Sequence, residues 1–166
     1  MAEVGRAVRM LAVVGIVLLT IGCDRVTKQI AAQQLAGRPR LSMAGDSVRL
    51  EYVENSGGVL SIGSGLPEAV RVVIFSLGTG GLLIWLGVWI RRHILAGGLP
   101  LGAALLWAGG AANLADRISR GSVVDFLNVG VGALRTGIFN AADVAITIGV
   151  VLVAFDMTRP GRTRLV

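Results

Sequence analysis

Val8-Arg9-Met10-Leu11-Ala12-Val13-Val14-Gly15-Ile16-Val17-Leu18-Leu19-Thr20-Ile21-Gly22-Cys23 carries a single charge, and three comparable apolar stretches follow it, near residues 69–90, 94–115 and 138–155. A helix that crosses a bilayer needs about 20 residues, within a range of about 17 to 25. The first stretch reaches that length only by running on through Asp24 to Lys28. The fourth must accept Asn140 and Asp143 near its start. With spans read at roughly 8–28, 69–90, 94–115 and 138–155, the chain is an all-α membrane protein of four transmembrane helices in one domain, residues 1–166. The whole composition agrees: 54% of residues are hydrophobic and mean hydropathy is +0.73, above the apolar share of soluble domains. Glycine occurs 24 times and aromatics make up only 5% of the chain, a composition that lets membrane helices approach closely.

The net charge of +6 comes from arginines that punctuate the apolar segments, not from a patch on a soluble surface. That distribution argues against a nucleic-acid partner and for membrane topology. Arg6 and Arg9 precede the first span, Arg91 and Arg92 separate the second and third, and Arg159, Arg162 and Arg164 follow the fourth. Four spans bring these dense clusters to one side. On the other side Lys and Arg are spread over two long stretches, 26–67 and 116–137, so the positive-inside rule places both termini in the cytoplasm. A lone cysteine, Cys23, excludes an intrachain disulfide framework and a CxxC metal site. The only histidine, His93, has no neighbours at metal-ligand spacing.

Between the first two spans, Val26-Thr27-Lys28-Gln29-Ile30-Ala31-Ala32-Gln33-Gln34-Leu35 contains good helix formers with no breaker before Gly37 and Pro39, which prolongs the first helix. Ser47-Val48-Arg49-Leu50-Glu51-Tyr52-Val53 alternates polar and apolar residues as a half-exposed strand does. Asn55-Ser56-Gly57-Gly58 reads as a turn or a close backbone approach.

Polar residues collect at the outer ends of the spans. Asp24 and Lys28, four apart, share a helix face and can pair. Asn113, Asp116 and Arg117 are spaced to share a face at the end of the third span, below Gly109 and Gly110, which open room for a neighbouring helix or a ligand. Asn140 followed by Asp143 is the arrangement of a helix cap. Asp125, flanked by Val123, Val124 and Phe126, has no such local explanation. On spacing alone, two accounts of the acids stand: separate structural roles, or two carboxylates in one cavity. In the second, mutual repulsion and desolvation leave the pair sharing one proton. One carboxylate then activates water while the other donates to a carbonyl oxygen or leaving amine.

Other chemistries fit less well. A divalent metal on two aspartates lacks further acids nearby. A Ser-His-Asp triad fails because His93 lies on the cytoplasmic side, and nothing in the spacing selects a Ser/Lys pair of Lys28 with Ser56 or Ser61. Met1 to Cys23 has the look of a lipoprotein signal ending at a lipidated cysteine, but Thr20 stands where such signals place leucine, and Cys23 reads as a packing residue. The rival class is a small transporter or proton pathway using intramembrane acids. A relay wants acids stepping across the bilayer, and here they cluster at one end.

In their order, Asp24-Arg25-Val26-Thr27-Lys28, Asn55-Ser56-Gly57, Gly109-Gly110-Ala111-Ala112-Asn113-Leu114-Ala115-Asp116-Arg117, Val123-Val124-Asp125-Phe126 and Phe139-Asn140-Ala141-Ala142-Asp143 resemble the lipoprotein signal peptidases, the bacterial type II signal peptidases. The resemblance covers nearly the whole chain. It implies a small extracytoplasmic β-sheet cradle beside the four helices, and an aspartic endopeptidase of the inner membrane that cuts prolipoproteins before a diacylglyceryl-modified cysteine. Asp125 and Asp143 match the catalytic pair. Asp24, Lys28, Asn55, Gly57, Asn113, Asp116, Arg117 and Asn140 match supporting or substrate-contacting positions, with Asn113 and Asn140 orienting the aspartates and Arg117 tying Asp116 in place. The resemblance implies no cofactor or metal, membrane lipids as surroundings, and globomycin-type cyclic peptides as inhibitors. The chain departs from the family after Asn55, where Gly58-Val59-Leu60-Ser61 lacks the usual aromatic. Arg25 replaces a frequent glutamine, and Ala112 replaces a glycine.

Overall fold

A computed structural model describes residues 2–56 and 67–158. In chain order these form α1 (Ala2–Leu35), β1 (Leu41–Met43), β2 (Val48–Asn55), α2 (Glu68–Leu95), α3 (Leu101–Arg120), β3 (Val123–Val131), β4 (Leu134–Arg135) and α4 (Ala141–Met157). The first helix continues without a break through the segment rich in helix formers and stops before Gly37, whose φ of 70° no other residue type adopts as cheaply. The second runs through Arg91 and Arg92 to Leu95, past the expected boundary at residue 90. It ends where Gly97 takes a φ of 91°, so backbone conformation rather than charge sets the limit. Gly121, with φ 76°, closes α3 in the same way.

Among the described residues, two helices meet the length and hydropathy needed to cross a membrane: Glu3–Leu35 and Val73–Leu95. The third carries Asp116, Arg117 and Arg120 in its last turns, and α4 is 17 residues long. All the same, α1, α2 and α4 present large apolar side chains outward, among them Leu18, Leu77, Ile84 and Val151.

The helix α3 lies at the centre and packs against α1, α2 and α4. Its contact with α4 runs through glycine. A Cβ on Gly102 would come 2.9 Å from the carbonyl oxygen of Gly149, and one on Gly149 would come 2.7 Å from that of Gly102. One on Gly109 would lie 2.5 Å from the Ala142 carbonyl oxygen and 2.8 Å from Ile146 Cγ1. Gly110 receives Leu83 of α2 instead. The two adjacent glycines thus admit two different helices, the close approach that small residues make possible. Gly109→Val is expected to lower stability by about 1–3 kcal/mol, because its new atoms meet the Ala142 backbone, which cannot yield, as well as the Ile146 side chain. Thermal unfolding in detergent measures this, and an unchanged midpoint would contradict so close a crossing.

The strands form one antiparallel sheet in the order β1-β2-β3-β4. β2 covers the anticipated strand but runs two residues further, to Asn55. Directly opposed residues lie on the same face. Leu41 opposes Leu50, Met43 opposes Val48, Val48 opposes Val129, Leu50 opposes Leu127 and Val131 opposes Leu134, so one face is apolar. The other carries Ser42 opposite Arg49, Arg49 opposite Asn128, and Arg135 opposite Gly130. On that polar side Asp46 accepts from Arg49 and Ser42, and hydrogen bonds from Arg49 hold its carboxyl well below the usual range. Ala31 and Leu35, at the end of α1, pack with Val124, Leu50, Tyr52 and Phe126, which fixes the sheet to the first helix.

Candidate active site

The start of α4 is zipped to β3. Phe139 N donates to the Leu127 oxygen at 2.9 Å, and Leu127 N returns the bond to the Phe139 oxygen at 2.9 Å. This antiparallel bridge sets Asn140, the next residue, beside the strand position of Asp125. The bridge explains how an acid in an apolar run finds a polar setting: Asp125 belongs to β3, an element that the sequence reading left as a connecting segment. Its Oδ1 accepts from Asn140 Nδ2 at 2.6 Å, and its Oδ2 accepts from Asn55 Nδ2, at the end of β2, at 2.9 Å.

Asn140 also holds Asp143. Its Oδ1 accepts from Asp143 N at 3.0 Å and its own N donates to Asp143 Oδ2 at 3.1 Å, a complete capping box at the start of α4. The capping reading is therefore right, and it does not exhaust the residue. Asp143 Oδ1 accepts from Asn113 Nδ2 of α3 at 2.9 Å, so this acid faces the same polar centre. One residue, Asn140, thus connects the two carboxylates, its side chain donating to Asp125 and its backbone N to Asp143. Asp125 is only 3% exposed while Asp143 is half-buried, so Asp125 is the drier member of the pair. Burial pushes the Asp125 carboxyl above its ordinary range, with hydrogen bonds from Asn55 and Asn140 opposing and the nearby Asp143 charge adding to the rise.

Beneath the dyad lies an ion cluster. Lys28 Nζ forms ion pairs with Asp24 Oδ2 at 2.7 Å and Asp116 Oδ2 at 2.8 Å and donates to Asn113 Oδ1 at 2.9 Å. An ammonium can only donate, so it fixes the Asn113 oxygen toward itself and turns the amide nitrogen to Asp143. Asp24 Oδ1 accepts from Ala142 N at 2.9 Å, so α1 supplies a second cap to α4. The pairing of Asp24 with Lys28 was legible from spacing, but its service to α4 was not.

Asp116 also has partners outside its own helix. Asp116 turns to α1, where Lys28 and, at 3.4 Å, Arg25 meet it. Adjacent residues on a helix point about 100° apart, and Arg117 lies instead in the field of Asp143 and Asp125 as well as Asp116. Sequence reasoning missed Arg25 as a partner of Asp116, since the two are 91 residues apart and no local spacing joins them. Gly57, and the segment 58–61 that departs from the family, lie outside the described residues. Among the described residues, no three His, Cys, Asp or Glu side chains gather as a metal-ligand set.

The family model for signal peptidase (SPase) II matches residues 16–159. The chain belongs to the signal peptidase II family. The lipoprotein signal peptidase of Mycobacterium tuberculosis (strain ATCC 25618 / H37Rv) is 32% identical over 169 residues, covering 95% of this chain and 78% of that protein. That of Syntrophus aciditrophicus (strain SB) is 34% identical over 146 residues, covering 86% of this chain and 88% of its own. A bacterial membrane enzyme solved by the in meso method superposes with a TM-score of 0.76 at 26% identity, covering 93% of this chain and 94% of the other. Signal peptidase II membership makes the chain a peptidase.

Proposed function

We propose that this chain removes signal peptides from prolipoproteins as an aspartic endopeptidase, cutting before a diacylglyceryl-modified cysteine, with Asp125 and Asp143 as the catalytic pair. The observation that carries this reading is Asn140, whose side chain binds Asp125 while its side chain and backbone bind Asp143. Two acids held by donors on either side, one buried and one half-buried, suit a single shared proton. Asp125, in the drier setting, is the acid that keeps a proton above the usual carboxylate range. Asp143, at a helix N-terminus where negative charge is favoured, is the acid that activates water. Asn55, Asn113 and Asn140 orient the carboxylates. Arg117 compensates their charge, and Asp24, Lys28 and Asp116 hold α1, α3 and α4 in register around them.

The same reading takes the whole chain as one unit of four membrane spans in the inner membrane, with both termini cytoplasmic and the site near the outer face. At about 1.5 Å per residue, the 20 residues of α3 and 17 of α4 approach the roughly 30 Å hydrocarbon layer. Lipid then holds the modified cysteine while water reaches the peptide bond, so that the cleavage step is effectively unimolecular. Globomycin-type peptides compete for this site.

Cleavage of a diacylglyceryl-modified prolipoprotein by the reconstituted protein is the direct test, with the unmodified precursor as control. Equal cleavage of both would remove the lipid from the substrate definition. Activity is expected to persist in EDTA, and loss with rescue by a divalent cation would replace the dyad with metal chemistry. The pH profile carries a further expectation. The folded site favours neutral Asp125, so the stability this provides is present at low pH and is lost as pH rises through its raised pKa. The rate is expected to fall over that same interval, above the ordinary carboxylate range, and a profile flat to high pH would contradict the assignment of the proton to Asp125.

A further inference from the structure

Asn140 stands at the end of a short irregular run. β4 holds only Leu134 and Arg135, and Thr136, Gly137 and Ile138 then lead to the Phe139 bridge without regular pairing. Such a run shifts easily unless side chains hold it. Here a guanidinium does. Arg135, its side chain 11% exposed, donates from Nε to Asn128 Oδ1 at 2.6 Å and from Nη1 to the Asp46 carbonyl oxygen at 2.7 Å. The turn that carries Asp46 is itself fixed, since Ser42 Oγ and Arg49 Nε donate to Asp46 Oδ1 at 2.6 and 2.8 Å. A guanidinium can only donate, so it turns the Asn128 oxygen toward itself and the amide nitrogen toward the run. Asn128 Nδ2 donates to the Thr136 carbonyl oxygen at 2.6 Å, Thr136 N donates to the Val129 oxygen at 2.8 Å, and Thr136 Oγ1 accepts from Val129 N at 3.0 Å. Neither Arg135 nor Asn128 belongs to the five blocks that carry the family resemblance, and Asp46 and Arg135 are 89 residues apart.

We infer that Arg135 is a positioning residue for the proposed cleavage: anchored on the turn between β1 and β2, it holds Asn128 on Thr136 and so sets where the Phe139 bridge delivers Asn140 to Asp125 and Asp143. This role rests on the dyad reading above. A planar guanidinium suits it, since one group must reach the Asn128 oxygen and the Asp46 carbonyl in two directions at once, which a lysine ammonium on a flexible stem does less well. A small displacement matters here, because moving a reacting group by about 1 Å can cost about 10²-fold in rate.

Arg135→Met, Arg135→Lys, Asn128→Asp and Arg49→Met are compared with the parent in lipid nanodiscs, by hydrogen exchange and by kinetics with the lipidated precursor. In R135M, residues 136–143 are expected to exchange several-fold faster while residues 101–112 of α3 exchange as in the parent. Its kcat is expected to fall about tenfold with KM changed by less than about twofold, because the loss falls on the geometry of the reacting groups and not on binding. Hydrogen bonds from Asn55 and Asn140 hold the Asp125 carboxyl down against its burial, so a looser Asn140 moves the alkaline limb of the rate profile to higher pH. Asp143, Lys28 and Arg117, whose charges also act there, are unaltered. R135K is expected to restore part of both effects. N128D keeps an oxygen for Arg135 and withdraws only the donor to Thr136, so its limb moves the same way; if R135M does not fold, these two variants carry the same readings. R49M takes donors from Asp46 at the same turn and is expected to lower the unfolding midpoint with the kcat and limb of the parent. An equal limb shift in R49M and R135M makes the effect one of general sheet stability and overturns the inference, as does parental exchange over 136–143 in R135M. Full activity in D125N removes the dyad and this role with it, whereas an inactive D125N beside an R135M of parental kcat and pH profile removes Arg135 alone.

Discussion

Asp125→Asn and Asp143→Asn are each expected to lower cleavage of a lipidated precursor by between about 10² and 10⁴-fold, the range for loss of one positioned acid or base. Both changes keep the side-chain shape and remove the ionisable group. At Asp125 the two partners are amide nitrogens of Asn140 and Asn55, and at Asp143 they are Asn113 Nδ2 and Asn140 N, so every contact is a donor. An asparagine amide would therefore set one NH₂ against a donor. That mismatch costs about 1–3 kcal/mol, enough to lower an unfolding midpoint and too little to unfold the protein. Circular dichroism and thermal unfolding in detergent separate that modest loss from the catalytic one. The double variant is expected to be little slower than either single one, because residues that act as a unit do not contribute additively. Full activity in either single variant would end the dyad assignment.

Lys28→Met is expected to have the largest effect on stability. Lys28, Asp24 and Asp116 are 3%, 2% and 3% exposed, and the ammonium stands between the two acids. Removing it leaves two buried carboxylates without their shared cation and frees the Asn113 amide to turn. Breaking a buried ion pair in this way costs about 3–5 kcal/mol. Asp116 keeps the longer contact with the largely exposed Arg25, and Asp24 keeps the Ala142 amide. K28M/D116N is expected to recover part of the loss, since one orphaned charge disappears while α4 keeps its second cap. A K28M midpoint equal to the parent's would show that this cluster does not hold α1, α3 and α4 together.

What could be read from the sequence was local. The continuation of α1 to Leu35, the capping box at Asn140 and Asp143, the pairing of Asp24 with Lys28 and the roles of Gly109 and Gly110 each follow from residues a few positions apart. What could not be read depends on partners far along the chain. Val123–Val131 becomes a strand by pairing with β2, some 70 residues earlier, and Asn55 meets Asp125 across the same distance. Without that pairing, the segment around Asp125 shows no more than an acid among valines. Lys28 meets Asn113 across 85 residues, so its orienting action on the amide had no local signal. The contacts of Asp116 with Lys28 and Arg25 were hidden for the related reason that they join two helices far apart in the chain. The ordered motifs of the family offered, by resemblance, both a catalytic pair and its supports, but not the contacts that join them.

The capping box gives Asp143 two duties that compete. As a carboxylate it is the clasp on the first turn of α4, and in the proposed reaction it is also the group that takes a proton from water. Each turnover would then undo the clasp for as long as that proton stays, weakening the first turn by the few tenths to one kcal/mol that a charge at a helix start contributes. Asp24, bonded to Ala142 from another helix, takes no part in the proton exchange and keeps its grip throughout. The enzyme would thus loosen and refasten the same turn of helix with every signal peptide it releases, while a second fastening from α1 keeps the turn from unravelling.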